Sequence, residues 1–147
     1  MDQVRITSTA AAQEVFDLIV DWPRQQEWMP FTRVSGEHGL GAAVEGWSGI
    51  GPVGFLDTMV ITEWTPGRRV VTRHTGRVVR GDGWFETEPL PSGGCAVTWA
   101  EDLQAPLGTV GRFGLTLLGP ANRVFMKIAL RRLVRLAEDR TPPFPGG

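Results

Sequence analysis

Hydrophobic and polar residues follow two different periods at the start of the chain. Residues 4–8 alternate between apolar and polar side chains, which predicts a β-strand. Residues 10–20 carry apolar side chains at helical spacing after Thr9, a favourable N-cap residue, and are expected to form a helix. A second short helix is expected to begin at residues 21–23, where Asp and Pro suit a first turn, and to end near residues 28–30.

Residues 31–103 have the pattern of an antiparallel meander. Segments with a period of two are separated by Gly and Pro, and Val, Ile, Thr and Trp are prominent, so we expect about six strands. The pattern leaves open whether one of the turns lies at Gly76 or at Gly81. The other breaks fall near residues 39–41, 49–54, 65–67 and 91–94.

The last part of the chain is helical in pattern. Apolar residues at spacings of three and four predict one long helix over residues 110–138, with Thr109 as its cap. Gly119-Pro120 is expected to kink or split this helix, because Pro removes a helical hydrogen bond. We expect a single domain over residues 1–140, followed by a frayed Pro- and Gly-rich tail over residues 141–147.

Composition and charge exclude several classes of function. The 147 residues fit one domain, and 15 basic residues against 16 acidic ones leave a formal charge of −1. No overall positive field therefore attracts nucleic acid or anionic lipid. Cys95 is the single cysteine, and we find no secretory leader and no apolar run of spanning length. We expect a cytoplasmic protein without stable membrane insertion, and a homodimer is compatible with the sequence.

The order of these elements is strand, two short helices, six-stranded meander and long final helix, which describes an α+β helix-grip fold. Motifs along the chain include AQEVFD at 12–17, DW at 21–22, WMP at 28–30, EWTPGRRV at 63–70 and GGCAVTW at 93–99. With these motifs the sequence resembles the START-like (SRPBCC) superfamily of polyketide cyclase/dehydrase and lipid-transport proteins, which includes the birch-pollen allergen fold. The resemblance implies a curved antiparallel sheet of about seven strands around the C-terminal helix, with an internal cavity. The superfamily includes carriers, sensors, cyclases and aromatases, so the chemistry stays open.

The Pro-Gly turn at residues 66–67 suggests a register for the two strands that it joins. A loop of two or four residues would pair Trp64 with Arg69, and counting inward then pairs Met59 with His74. An odd loop or a bulge would exchange the two faces. We expect the more apolar face to be concave, and its residues are Phe55, Asp57, Met59, Ile61, Val70, Thr72, His74 and Val78.

The last strand is expected to turn Trp99 and Glu101 inward, because they belong to its more apolar face. The preceding strand contributes either Trp84 or Phe85 to that face, depending on the length of the turn at residues 91–94. The residues that we expect to bind a ligand are Trp28, Phe31, Phe55, Asp57, Met59, Ile61, Thr72, Trp84, Trp99, Phe113, Leu117 and Phe125.

His74 and Glu101 are the candidate acid/base residues. An imidazole on an apolar face titrates near neutrality and can serve as acid, base or hydrogen-bond donor, although a core histidine bonded to a neighbour is the alternative. A carboxyl held against Trp99 resists ionisation and can act as a general acid, whereas a glutamate at a strand end is solvated. Asp57 can complete a polar trio with them, or cap a turn.

Other motifs are weaker. Residues 49–54 fit GxGxxG, but a strand rather than a helix is expected to follow, so we interpret them as a turn at the pocket mouth that can act as a gate. His38, His74 and Cys95 do not have metal-ligand spacing, so we predict no metal, and no cofactor is indicated. Lys127, Arg131, Arg132 and Arg135 form a basic stripe on the final helix, for which a solvated face is the default interpretation.

Three hypotheses of function follow. The first is reversible binding of a small hydrophobic molecule, such as a lipid, polyketide or aromatic metabolite, in an internal pocket. The second is a polyketide cyclase, aromatase or dehydratase that uses His74 and Glu101 as acid/base groups. The third is a protein-interaction module with a closed cavity that docks a partner through the basic stripe. The sequence leaves open whether the protein is an enzyme.

Overall fold

The computed structural model describes residues 1–104 and 108–139, and for residues 108–118 it describes the course of the helix without its side chains. A 3₁₀ helix, Trp22–Glu27, follows the first α-helix. The remaining elements are β1 (Asp2–Ser8), α1 (Ala12–Ile19), β2 (Thr32–Gly36), β3 (Ala43–Ile50), β4 (Val53–Thr65), β5 (Arg69–Thr75), β6 (Arg80–Pro89), β7 (Cys95–Gln104) and α2 (Gly108–Asp139).

The seven strands form one antiparallel sheet in the order β1-β7-β6-β5-β4-β3-β2. The six strands after β1 follow one another as neighbours, as the period-two pattern predicts, and β1 pairs with β7 at one edge. The helices pack on the concave side of this sheet. The predicted α+β helix-grip fold is therefore confirmed.

Helix α2 contributes a continuous apolar face to the core. Met126, Ala129, Leu130 and Leu133 are fully buried, at the spacings of three and four that predict this face. The C-terminal end of α2 is also tied to the end of β1. One carboxylate oxygen of Glu138 accepts hydrogen bonds from the Ser8 hydroxyl (3.0 Å) and from the backbone N–H of Thr9 (3.1 Å).

Three details of the helices differ from the sequence-based expectations or lie outside the described residues. The N-cap of α1 is Ala11 rather than Thr9, and its side chain makes no capping hydrogen bond. Helix α2 continues through Pro120 as one element and is not split. The side chain of Thr109, its expected cap, and the tail over residues 141–147 lie outside the described part of the chain.

The expected pairing of Trp64 with Arg69 is wrong. The turn between β4 and β5 leaves three residues unpaired, so that Arg69 pairs with Thr65 and Trp64 pairs with Val70. A bulge between Ile61 and Glu63 then shifts the register back by one residue. Because the two irregularities cancel, the expected pairing of Met59 with His74 is confirmed.

The turn between β5 and β6 shows where the chain reverses, and the β3–β4 turn lies at the same end of the sheet. The chain turns at Gly76, after β5 ends at Thr75, while Gly81 lies inside β6. Val78 belongs to this turn and is 49% exposed rather than concave, because the turn ends the alternation of the strand. At the β3–β4 turn, Gly49 faces Gly54 so closely that a Cβ on either one would lie 2.3 Å from a backbone oxygen.

Replacing Leu130 by Ala is expected to lower the free energy of unfolding by about 2–5 kcal/mol, because a buried aliphatic side chain leaves a cavity between α2 and the sheet. The matched control is Ile128→Ala on the same helix, where the side chain is 43% exposed and much less packing is lost. Urea denaturation of both variants measures the difference. Equal losses for the two would contradict this packing of α2.

Candidate functional site

A cavity of about 400 Å³ lies between the concave face of the sheet, the 3₁₀ helix and α2. Its wall is largely apolar, and Phe31 stands at the opening, where it lines the cavity and is also 64% exposed. The cavity volume lies within the range of small-molecule sites, which is roughly 300–1,000 Å³. Its polar side chains are those of Gln25, Thr32, Ser48, Asp57, Thr72, His74, Glu101 and Asn122.

His74 and Asp57 form a hydrogen-bonded pair on the cavity wall. They lie on neighbouring strands, β5 and β4, and the Nδ1 of His74 is 2.8 and 2.9 Å from the two carboxylate oxygens of Asp57. Both side chains are largely buried, with 12% and 14% of their surfaces exposed. Because a carboxylate only accepts hydrogen bonds, Nδ1 carries a proton. The other ring nitrogen, Nε2, is then the atom available to a molecule in the cavity.

Gly83 leaves open space beside that nitrogen. It lies on β6, lines the cavity and pairs with Thr72 on one side and Glu101 on the other. A Cβ on Gly83 would lie 3.4 Å from the Nε2 of His74 and 3.9 Å from the hydroxyl oxygen of Thr72. Since glycine has no Cβ, Nε2 stays accessible from the cavity.

Glu101 lies on β7 and is held by a residue of α2. The Nδ2 of Asn122 donates to the Oε2 of Glu101 (3.2 Å) and to an oxygen of Asp2 (2.9 Å). Removal from water raises the pKa of the Glu101 carboxyl, and the charges of Asp2 and Asp57 act in the same direction. The Asn122 hydrogen bond and the charge of His74 oppose this increase in pKa. Glu101 is therefore a carboxyl that favours its protonated form more than a solvated glutamate does.

An aromatic wall continues the same face of the sheet. Phe85 and Trp99 are paired on β6 and β7 and stack with ring centroids 5.1 Å apart and planes inclined by 25°. Phe125, from α2, meets Trp99 edge to face at 6.4 Å. All three rings line the cavity. The acid/base groups and an aromatic apolar surface therefore border one space.

The structure brings most of the expected site residues to this cavity. Phe31, Phe55, Asp57, Met59, Thr72, His74, Trp99, Glu101 and Phe125 lie on its wall. The side chains of Phe113 and Leu117 lie outside the described residues.

Three of the expected residues are not on the cavity wall. Trp84 pairs with Ala100 on the convex face, where the guanidinium of Arg69 lies 5.4 Å from its ring centroid. Phe85 takes the inward position instead, because five unpaired residues separate Pro89 from its partner Cys95. Trp28 and Ile61 are buried in the core, where neighbouring side chains cover them.

Sequence reasoning missed Asn122, Gly83 and Asp2 as parts of the site. Asn122 lies four residues before Met126, so it extends the buried stripe of α2, and a polar residue on such a stripe is the signal that was available. Gly83 contributes because it has no side chain, and no pattern in the sequence marks such a contribution. Among the described residues, no group of three His, Cys, Asp or Glu side chains is placed to hold a metal ion.

The sequence of the chain matches a known family over nearly its whole length. Residues 3–138 match the family that is described as polyketide cyclase / dehydrase and lipid transport. The chain belongs to this family. No curated protein sequence matches it. In the described part of this family member, no helix is long and apolar enough to cross a membrane.

Solved structures share the fold of this family member at low sequence identity. The Zhui aromatase/cyclase from a Streptomyces species is 18% identical with a TM-score of 0.71, over 95% of this chain and 93% of that one. A protein from Nitrosomonas europaea is 12% identical with a TM-score of 0.72, over 95% of each chain. The di-domain ARO/CYC BexL is 20% identical with a TM-score of 0.74, over 97% of this chain and 47% of that one.

Replacing Glu101 by Gln is expected to reduce the loss of stability that the wild type shows as the pH rises. Between the ordinary pKa of 4.5 and the raised pKa, the folded state binds more protons at Glu101 than the unfolded state, so this group lowers stability as the pH rises through that range. Gln does not titrate and can still accept from Asn122. The free energy of unfolding of the variant, minus that of the wild type, should therefore be more positive at neutral than at acidic pH. Urea denaturation across this range measures it, and a constant difference would argue against the raised pKa.

Proposed function

We propose that this protein is an acid/base catalyst that binds a small poly-carbonyl or aromatic molecule in its cavity and promotes its cyclisation and dehydration. The observation that carries the proposal is the hydrogen-bonded Asp57–His74 pair on the wall of a mostly apolar cavity. A hydrogen bond from Nδ1 to a carboxylate orients the ring and stabilises the imidazolium that forms when Nε2 accepts a proton.

His74 acts as the general base in this proposal. Its Nε2 removes a proton from a carbon atom next to a carbonyl group, and the electron pair of that C–H bond forms an enolate. The carbanion carbon then attacks a second carbonyl carbon of the same molecule, which forms the new C–C bond and leaves an alkoxide. The partly enclosed cavity favours this step because it holds the chain folded, with both reacting carbons close together.

Glu101 acts as the general acid. Its raised pKa makes the protonated carboxyl more populated than in a solvated glutamate, and in this form it donates its proton to the alkoxide and gives a hydroxyl group. The imidazolium of His74 returns its proton to the Glu101 carboxylate through the bound molecule or water. A second cycle of the same two groups removes an adjacent C–H proton and protonates the hydroxyl, which leaves as water and forms a C=C bond. The membership in the polyketide cyclase/dehydrase family and the fold shared with an aromatase/cyclase support this reaction class.

Reversible binding without chemistry is the second candidate function. It is favoured by the apolar part of the cavity wall, including the Phe85–Trp99 stack, which can hold a hydrophobic ligand without proton transfer. The family also includes lipid transport in its description. The two candidates differ in one measurable property, which is catalysis of proton transfer at a carbon atom of the bound molecule.

The test uses 1-tetralone, an aromatic ketone whose exchangeable protons lie next to the carbonyl. In D₂O the wild type is expected to accelerate exchange at that carbon, and His74→Gln is expected to lower the catalysed rate by roughly 100-fold or more, because the general base is lost. Asp57→Asn should lower it as well, since the ring loses its orienting partner. Proton NMR of 1-tetralone measures the exchange.

The chain offers a matched control. His38 is the other histidine, lies outside this cavity and bonds to the backbone oxygen of Val20 through Nε2 at 2.6 Å. His38→Gln is expected to keep the wild-type exchange rate. Equal losses in the two His→Gln variants would count against His74 as the base. If 1-tetralone binds to the wild type without faster exchange, reversible binding replaces catalysis as the function.

A further inference from the structure

The gap at Gly83 lies between the two candidate acid/base side chains. Gly83 pairs directly with Glu101 across β6 and β7, and its absent Cβ would lie 3.4 Å from the Nε2 of His74. Any side chain at position 83 would thus contact the ring atom that faces the cavity. Two other cavity-facing residues of these strands, Phe85 and Trp99, carry large side chains. Gly83 therefore leaves space beside the Nε2 of His74, at the point where its strand pairs with Glu101.

The ligand's shape follows from what borders this gap. The Phe85–Trp99 pair lies two residues further along the same two strands, which is about 7 Å away. A conjugated ring system packs favourably against such aromatic side chains, either offset-stacked or edge to face. Its edge then extends across Gly83, where Nε2 and Glu101 offer hydrogen bonds to an oxygen atom. We propose that Gly83 determines specificity by admitting the oxygen-bearing edge of a planar, conjugated ligand, such as a phenol or an aromatic ketone, between His74 and Glu101. This inference rests on the proposed function.

Alanine is sterically tolerated at this position, which makes the proposal testable. The Cβ of Gly83→Ala has no contact shorter than 3.4 Å, which is an ordinary van der Waals distance, and alanine suits a strand better than glycine does. Gly46 provides a matched control on β3. It also lines the cavity, and a Cβ there would lie 3.6 Å from the Cε of Met59, with no contact to His74 among its nearest neighbours. The two variants remove similar volumes from the cavity but only one covers Nε2.

The experiment compares 2-naphthol with 2-methylnaphthalene, which have nearly the same shape but differ in the hydroxyl group. Fluorescence titration is expected to show that the wild type binds 2-naphthol about tenfold more tightly than 2-methylnaphthalene, because one well-made hydrogen bond contributes about that factor in affinity. Gly83→Ala should lower this ratio to about one, whereas Gly46→Ala should weaken both probes equally and keep the ratio. A ratio that is unchanged in Gly83→Ala, or that is already one in the wild type, would overturn the proposal.

A second measurement needs no variant. In protein labelled with ¹⁵N at histidine, 2-naphthol is expected to shift the Nε2 resonance of His74 and to leave that of His38 unchanged. Binding of 2-naphthol that shifts neither resonance would overturn the proposal.

These outcomes are separate from the 1-tetralone assay. If His74-dependent exchange persists while the preference for the hydroxyl group is absent, the catalytic function stands and the role of Gly83 is wrong. If neither naphthalene probe binds and no exchange occurs, both fall.

Discussion

The packing of α2 against the concave face of the sheet is the interaction on which the rest of the structure depends. Its buried residues, among them Leu130 and Leu133, pack in the core inside the curved sheet and provide apolar burial that stabilises the fold. Nearer its N-terminal end, α2 contributes Asn122 and Phe125 to the cavity that opens at Phe31. One helix therefore both closes the core and supplies part of the cavity wall.

The three ionisable groups of the cavity are positioned by the strands of the sheet rather than by loops. Asp57 and His74 meet because β4 and β5 are neighbours in the sheet, and Glu101 faces Gly83 because β6 and β7 are paired. Strands restrict side chains to two faces, so three ionisable groups on the inner face must share one space. Burial of these groups is acceptable because the Asp57–His74 pair and the Glu101–Asn122 pair each provide hydrogen bonds.

The order of the elements could be predicted from the sequence because each element has its own hydrophobic period. The buried face of α2 followed from the same patterns, whereas the pairing of Met59 with His74 was counted from an assumed loop length and is correct because two irregularities cancel. The irregularities could not be predicted, because a bulge and the length of a turn depend on tertiary packing. The pairing of Met59 with His74 was thus correct although the turn beside it was not. The inward position of Phe85 rather than Trp84 and the contribution of Asn122 required the three-dimensional structure.

The bulge between Ile61 and Glu63 lies between the β4–β5 turn and the part of these strands that carries Asp57 and His74. Changes in the hairpin on the far side can be absorbed there, while the paired backbone next to the cavity stays fixed. A residue gained or lost in that hairpin therefore need not move the Met59–His74 pairing, so the position of His74 beside Asp57 is insulated from the length of the turn.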